Sequence, residues 1–308
     1  MERLALVIVG PTCSGKTLLS LELAKLLDGE IISADSRQFF KLLSIGTAKP
    51  SPEELSSVKH HLVDFLDPEA DYNVSRFEED GLRILNEILE RKKLPIIVGG
   101  SGLYIKAMVD GLFNEIETDG EYRDYLMAIR EKFGNEHIYG ILKEVDPVSA
   151  EKMLPQNWKR VMRALEVFHI SGEPIWKFHE KHKRQTDIKF RQIGLNWDRS
   201  ILYANIDNRV DKMIEAGLVE EVKSILDMGF DKNINSLNTV GYKEIISFLE
   251  GEISLDRAVE LIKRNTRHYA KRQMTWFRAV DRINWYEIKN NDDLKDIPQK
   301  ELSFLKNY

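Results

Sequence analysis

Cysteine is almost absent from this chain. Cys13 is the single thiol in 308 residues, so no internal disulfide can form, and one thiol without a Cys/His cluster makes no structural zinc site. Long apolar runs are missing as well: no stretch approaches the roughly 20 residues that a membrane span requires. The opening "MERLALVIVG" passes directly into a strand-like run and carries no signal-peptide cleavage pattern. A cytoplasmic protein without a membrane partner is expected. Positive charge is not in excess, since 45 Lys and Arg against 50 Asp and Glu leave a net charge of −5. That balance argues against a surface that coats nucleic acid everywhere but leaves room for a local basic site. Repeats, low-complexity tracts and long Pro/Gly/Ser linkers are also lacking, so any domains should be interleaved along the chain.

What is present is an alternation. "LALVIV" (4–9), "EIISA" (30–34), "HLVDFL" (61–66) and "LPIIV" (94–98) are apolar runs of strand length with helix-like segments between several of them. This predicts an α/β fold, a largely parallel sheet flanked by helices. Around Phe113 the pattern turns helical, as in "EYRDYLMAIREKF" and "NWKRVMRALEVFHISG", and stays so to Arg191. An all-helical insertion over 115–191 is expected, splitting a core domain into 1–114 and 192–308. "RQIGLNW" (191–197) should return the chain to the sheet, and "RINWYEI" (282–288) is a late strand candidate.

The most specific motif is "GPTCSGKT", Gly10 to Thr17, which satisfies G-x-x-x-x-G-K-[ST] between a strand and an amphipathic helix. Along Gly10, Pro11, Thr12, Cys13, Ser14 and Gly15 the backbone can wrap so that successive N–H groups point inward. The helix N-terminus, the Lys16 charge and the Thr17 hydroxyl, a ligand for Mg²⁺, complete a cradle for a diphosphate or for a nucleotide such as ATP. The motif does not identify the rest of the ligand, and a nucleotide kinase is the natural first reading. In open α/β sheets ligands bind beyond the carboxyl ends of the strands. Asp35 in "ADSRQFF" ends the second strand, and from spacing alone it is equally a turn cap and a carboxylate facing the cradle. "GGSGLY" (Gly99–Tyr104) allows close backbone approach and offers the Ser101 hydroxyl, while "IGTAKPS" (45–51), with Thr47 and Lys49, reads as a polar loop at the same edge. His60 and His61 are adjacent, without helical metal-ligand spacing, and are read as structural.

The ordered set "GPTCSGKT", "SADSRQFFKLLSIGTAKPS", "HHLVDFLDP", "VGGSGLYIKAMVDGL", "RVMRALEV", "TVGYKE" and "TRHYAKRQMTWFR" resembles the bacterial tRNA dimethylallyltransferase family, also called tRNA isopentenyltransferases. Many NTPases share the phosphate loop; the Asp-Ser-x-Gln segment followed by "IGTAKP" and the "AKRQ-x-TWFR" run are far more specific. Two positions depart from the family pattern. Ser101 stands where the family usually has Thr and keeps the hydroxyl, and Asn205 stands where it commonly has Arg, with Arg209 retained one turn on.

The resemblance implies a P-loop NTPase-like core and transfer of a dimethylallyl group from dimethylallyl diphosphate, with Mg²⁺, to N6 of the adenosine 3′ of the anticodon. The phosphates then belong to a leaving group. By the same resemblance Asp35 is the general base, Ser101 its companion and Lys16 the stabiliser of departing charge, with Gly10 to Thr17 and Arg209 on the diphosphate. Ser36, Arg37 and Gln38 would read an adenosine turned out of its stack, Gln38 through paired hydrogen bonds. Arg123 and the run Lys159, Arg160, Val161, Met162, Arg163 would meet the tRNA anticodon arm, as would Lys243, Arg267, Lys271 and Arg272. A monomer is expected.

From the residues themselves, "KRNTRHYAKRQMTWFR" (263–278) carries six cations and no acid. As a helix it places Arg264, Arg267, Lys271 and Arg278 along one face, with Ile262, Tyr269, Trp276 and Phe277 largely on another that packs inward. The insertion adds Lys177, Lys181, Lys183 and Arg184 to its own basic cluster, and Met162 is expected in its core. A nucleotide kinase, a transferase acting on free AMP or ATP and a non-catalytic RNA-binding module are the rival readings.

Overall fold

The computed structural model describes residues 3–112, 116–181, 184 and 186–306. Six strands form one all-parallel sheet: β1 (Leu4–Val9), β2 (Gly29–Ser33), β3 (His60–His61), β4 (Leu94–Gly99), β5 (Lys189–Trp197) and β6 (Asn284–Ile288), in the spatial order β3-β2-β4-β1-β5-β6. Residues 5–9 of β1 are wholly buried, which is why that strand reads as a continuous apolar run. It lies between β4 and β5 in the register Leu6–Ile96 and Ile8–Ile193. Helices cover both faces, and the fold is that of a P-loop α/β core.

The strand expected over 61–66 is mostly not one. Only His60 and His61 pair with β2, because Leu62 and Asp64 take left-handed backbone conformations (φ 58° and 56°) that no strand accommodates. The segment instead turns onto the loop after β2, with Asp64 N donating to Gln38 O and Phe65 N to Phe39 O, both at 2.9 Å.

The chain divides into two compact units, Met1–Val109 with Thr186–Tyr308, and Asp110–Gln185. The sequence-based limits of 115–191 differ from these because Lys189 and Phe190 already pair with Leu4 and Ala5 of β1. Among its described residues the smaller unit has helices and connecting turns and no strand. Its main helices, Gly120–Phe133, Asn135–Val145 and Trp158–Ser171, enclose Leu126, Ile138, Leu142, Val161 and Leu165. Phe113 and Lys183, and the side chain of Lys181, lie outside the described residues. Among the described residues no helix is long and apolar enough to cross a membrane.

Candidate active site

The site is built at the carboxyl ends of β1, β2 and β4, all in the larger unit. After β1 the chain turns through residues 10–15 into the helix Lys16–Leu26. Gly15 caps that helix at φ 85°, and a Cβ there would sit 2.6 Å from Leu294 Cδ1, so both conformation and packing require glycine. Trp197, at the end of β5, donates Nε1–H to the carbonyl of buried Ser14 at 2.9 Å and pins the loop from behind.

Lys16 folds back over the loop and donates to Pro11 O at 2.6 Å. Desolvation lowers its pKa to about 8; Asp35 opposes that shift and Arg209 adds to it. Arg209 comes from the helix Arg199–Glu215 and places Nη1 3.3 Å from Thr12 Oγ1 and 3.4 Å from Cys13 Sγ. Lys16 and Arg209 thus both sit at the loop, one turn of helix from Asn205 in the case of Arg209. Thr17 is half-buried in the first turn of the Lys16–Leu26 helix.

Asp35 fulfils both of its sequence readings. Its Oδ1 accepts from Arg37 N at 3.0 Å, closing a tight turn, and the same residue lines a cavity of about 340 Å³ together with Thr12, Cys13, Arg209, Lys243 and Tyr269. Ser36, Arg37 and Arg272 also line it. Ile206, Val210, Met213, Val240 and Ile262 supply an apolar wall. Arg37 is anchored by Nη1 donating to Asn235 O at 2.6 Å, and burial lowers its pKa against the pull of Asp35. Ser101 Oγ accepts from Ser36 N at 3.4 Å and hydrogen-bonds with the Tyr269 side chain. The Tyr269 hydroxyl is pushed up to about 12 by burial, with Asp35 adding to the rise.

Two contributors were not read from sequence. Gln273 is buried on the helix Leu255–Arg278; its Oε1 accepts from Thr12 N at 2.8 Å and its Nε2 donates to Gly100 O at 2.9 Å. A Cβ on Gly100 would lie 2.1 Å from that Nε2. Glu221 takes the backbone N–H groups of Ser44, Ile45 and Gly46 at 3.1, 2.8 and 3.2 Å and the Tyr242 hydroxyl at 2.6 Å, which fixes the "IGTAKP" loop. Gln273 stands inside a family-specific run, but spacing alone carried no sign of which loops its amide would join.

Several expectations need correction. Gln38 does not face the cavity with a free amide: Nε2 donates to Ala48 O at 3.0 Å and Thr47 O at 3.3 Å, and Oε1 accepts from Ser33 Oγ at 3.3 Å. The basic helix is not without counter-charge, because Asp211 pairs with Lys263 and Asp207 with Arg267 from the neighbouring helix. Trp276 is exposed rather than packed inward, and Arg278 donates to Asn196 Oδ1 at 3.0 Å. Arg264, Lys271 and Arg272 are exposed cations of that helix.

In the smaller unit, Glu166 is fully buried and holds Arg123 Nε at 2.7 Å as well as Arg163 Nη1. These two arginines are therefore engaged in a structural pair. Val161 and Met162 belong to the core, so only Lys159 and Arg160 of the run 159–163 stand exposed. Lys177 pairs with Glu173. His60 and His61 are structural, bonding to Val58 O at 2.8 Å and to Glu30 Oε2 at 2.7 Å.

The family model for IPP transferase matches residues 38–280. A tRNA dimethylallyltransferase of Acetivibrio thermocellus is 47% identical over 98% of this chain and 96% of its own length, and one of Alkaliphilus oremlandii is 44% identical over 100% and 99%. Among solved structures, the full-length tRNA isopentenylpyrophosphate transferase of Bacillus halodurans matches with a TM-score of 0.71 at 37% identity, covering all of both chains. A eukaryotic dimethylallyltransferase acting on tRNA matches with a TM-score of 0.81 at 27% identity, over 99% of this chain and 80% of that one.

Proposed function

The chain belongs to the IPP transferase family, and from that premise we propose that it is a tRNA dimethylallyltransferase that alkylates N6 of the adenosine immediately 3′ of the anticodon. The observation that carries the reading is one cavity in which Asp35 faces Thr12, Cys13 and Arg209. A carboxylate and a phosphate cradle then meet the two ends of one substitution.

The allylic C1–O bond of dimethylallyl diphosphate breaks with its electron pair going to diphosphate, the bond from N6 to C1 forms, and the N6 proton passes to Asp35. Adenine N6 is a poor nucleophile because its lone pair is delocalised into the ring, and a base in place is worth ~10²–10⁴-fold. Charge developing on the leaving diphosphate meets Lys16, Arg209 and the inward N–H groups of the loop. The Thr17 hydroxyl, a hard oxygen in the first turn of the helix after the loop, would be the protein's ligand to Mg²⁺. Bound there, Mg²⁺ would neutralise phosphate charge.

Ser101, linked to Ser36 and Tyr269, holds the Asp35 turn in place. Lys243, Arg37 and Arg272 line the cavity and would hold the nucleotide and its phosphates, while Lys271, Lys159 and Arg160 offer exposed charge to the RNA backbone. We take the working protein to be a cytoplasmic monomer.

The test is incubation with Mg²⁺, labelled dimethylallyl diphosphate and unmodified tRNA, with free AMP in a parallel tube, followed by nucleoside analysis. Label in N6-isopentenyladenosine from tRNA alone supports the reading. Label in AMP would favour a free-nucleotide transferase, and no transfer in either tube would return the kinase and binding-module readings.

A further inference from the structure

A second cavity, of about 520 Å³, adjoins the reaction chamber. Among the described residues only Arg209 and Met213 line both. The loop after β2 completes the partition, with Gly46 and Thr47 on one side and Ile45 and Ala48 on the other. Arg209 and Met213 are four residues apart on the helix Arg199–Glu215, one turn and about 6 Å along its axis. Arg209 is the diphosphate end of that turn, since its guanidinium reaches Thr12 and Cys13. Val210 and Met213 continue the apolar side of the chamber, so a prenyl tail leaving the diphosphate along this wall meets Met213 next.

Beyond Met213 the second cavity is lined by Pro50, Pro52, Leu55 and Ala216. Its Lys49 is already bonded to Phe40 O and paired with Asp64, so that charge is answered within the protein. Ser44, Ser51, Asp64, Arg209 and the exposed Lys212 also line it, so hydrocarbon would lie against the side formed by Pro50, Pro52, Leu55 and Ala216. Methionine is unbranched and adaptable, a side chain that fills a gap without anchoring its neighbours, and Met213 is only half-buried.

We propose that Met213 sets the length of the transferred prenyl group: it closes the apolar end of the reaction chamber after one isoprene unit, and the cavity behind it fits the second unit of geranyl diphosphate. This rests on the transferase reading. The chemistry is the same for both donors, with C1–O broken, N6–C1 formed and the proton taken by Asp35.

The experiment compares wild type and Met213→Ala with dimethylallyl and geranyl diphosphates, each with Mg²⁺ and unmodified tRNA, reading kcat/KM from the modified nucleoside. The expected result is transfer of the five-carbon group by wild type and a geranyl-to-dimethylallyl ratio at least ~100-fold higher in the variant, the order of discrimination that an apolar pocket provides. A ratio that moves less than about threefold, or wild type using both donors equally, overturns the assignment, because a gate at this position must discriminate by more. Should Met213→Ala prove unfolded by thermal melting, Met213→Val is read by the same ratio and decides. No five-carbon transfer by wild type would instead sink the transferase reading itself.

Discussion

Gln273 and Thr12 are joined across the site: the buried amide oxygen accepts the phosphate-loop N–H at 2.8 Å while its nitrogen donates to Gly100 O at 2.9 Å. One side chain from the Leu255–Arg278 helix thereby holds together the glycine-rich loop after β1 and the loop that carries Ser101. It also takes the Thr12 N–H out of the set available to phosphate.

Gln273→Leu removes both bonds and leaves a loop N–H and a carbonyl without partners. At about 1–3 kcal/mol for each buried group so stranded, a loss of about 2–6 kcal/mol is expected for the two. Thermal melting and the KM for dimethylallyl diphosphate check it, with KM rising more than kcat falls. Unchanged melting and KM would show that the loops hold their positions without this amide.

Asp35→Asn should slow single-turnover transfer by at least ~100-fold and leave tRNA affinity largely intact. The amide can still accept from Arg37 N, so the turn survives. Weaker tRNA binding with an unaltered single-turnover rate would remove Asp35 as the base.

Lys16 gives a pH dependence with a definite sign. Its pKa is lowered from 10.5 to about 8 by desolvation, so the free protein carries the charge below pH 8 and loses it above. Diphosphate affinity should fall as pH rises from 7 to 9. Near pH 8, binding should take up roughly half a proton, because a bound anion restores the charged form. Calorimetry in two buffers of different ionisation enthalpy measures that uptake, and Lys16→Met should abolish it.

The cations separate into two groups by their partners. Lys159→Ala, Arg160→Ala and Lys271→Ala remove exposed charge and should each weaken tRNA binding and lower the salt slope by about 1, with melting unchanged. Arg163→Ala strips a partner from buried Glu166 and should destabilise the smaller unit, by about 3 kcal/mol for a broken buried pair. A salt slope unaffected by the first three would mean that those faces do not meet RNA.

The parallel sheet, the phosphate loop and the helical insertion were legible because each rests on local pattern: an unbroken apolar run, fixed glycine spacing, a change of period. Asp35 was half legible, since a strand-end aspartate is both turn former and carboxylate, and here it serves as both. The engagement of Arg123 and Arg267 was not legible for one reason. A side chain's partner can lie far along the chain, as Asp207 lies 60 residues from Arg267 and Glu166 lies 43 from Arg123.

The sequence by itself determined most of the elements, the position of the glycine-rich loop and, through its ordered motifs, the family. Only the tertiary structure decided which polar groups remain free to act. Hydrogen-bond capacity is finite, and burial forces each donor and acceptor to find a partner inside the fold. Gln38 is thereby assigned to its own loop, Gln273 to two loops at once and Glu166 to two arginines, while Asp35, Arg209 and Met213 are left facing the cavity.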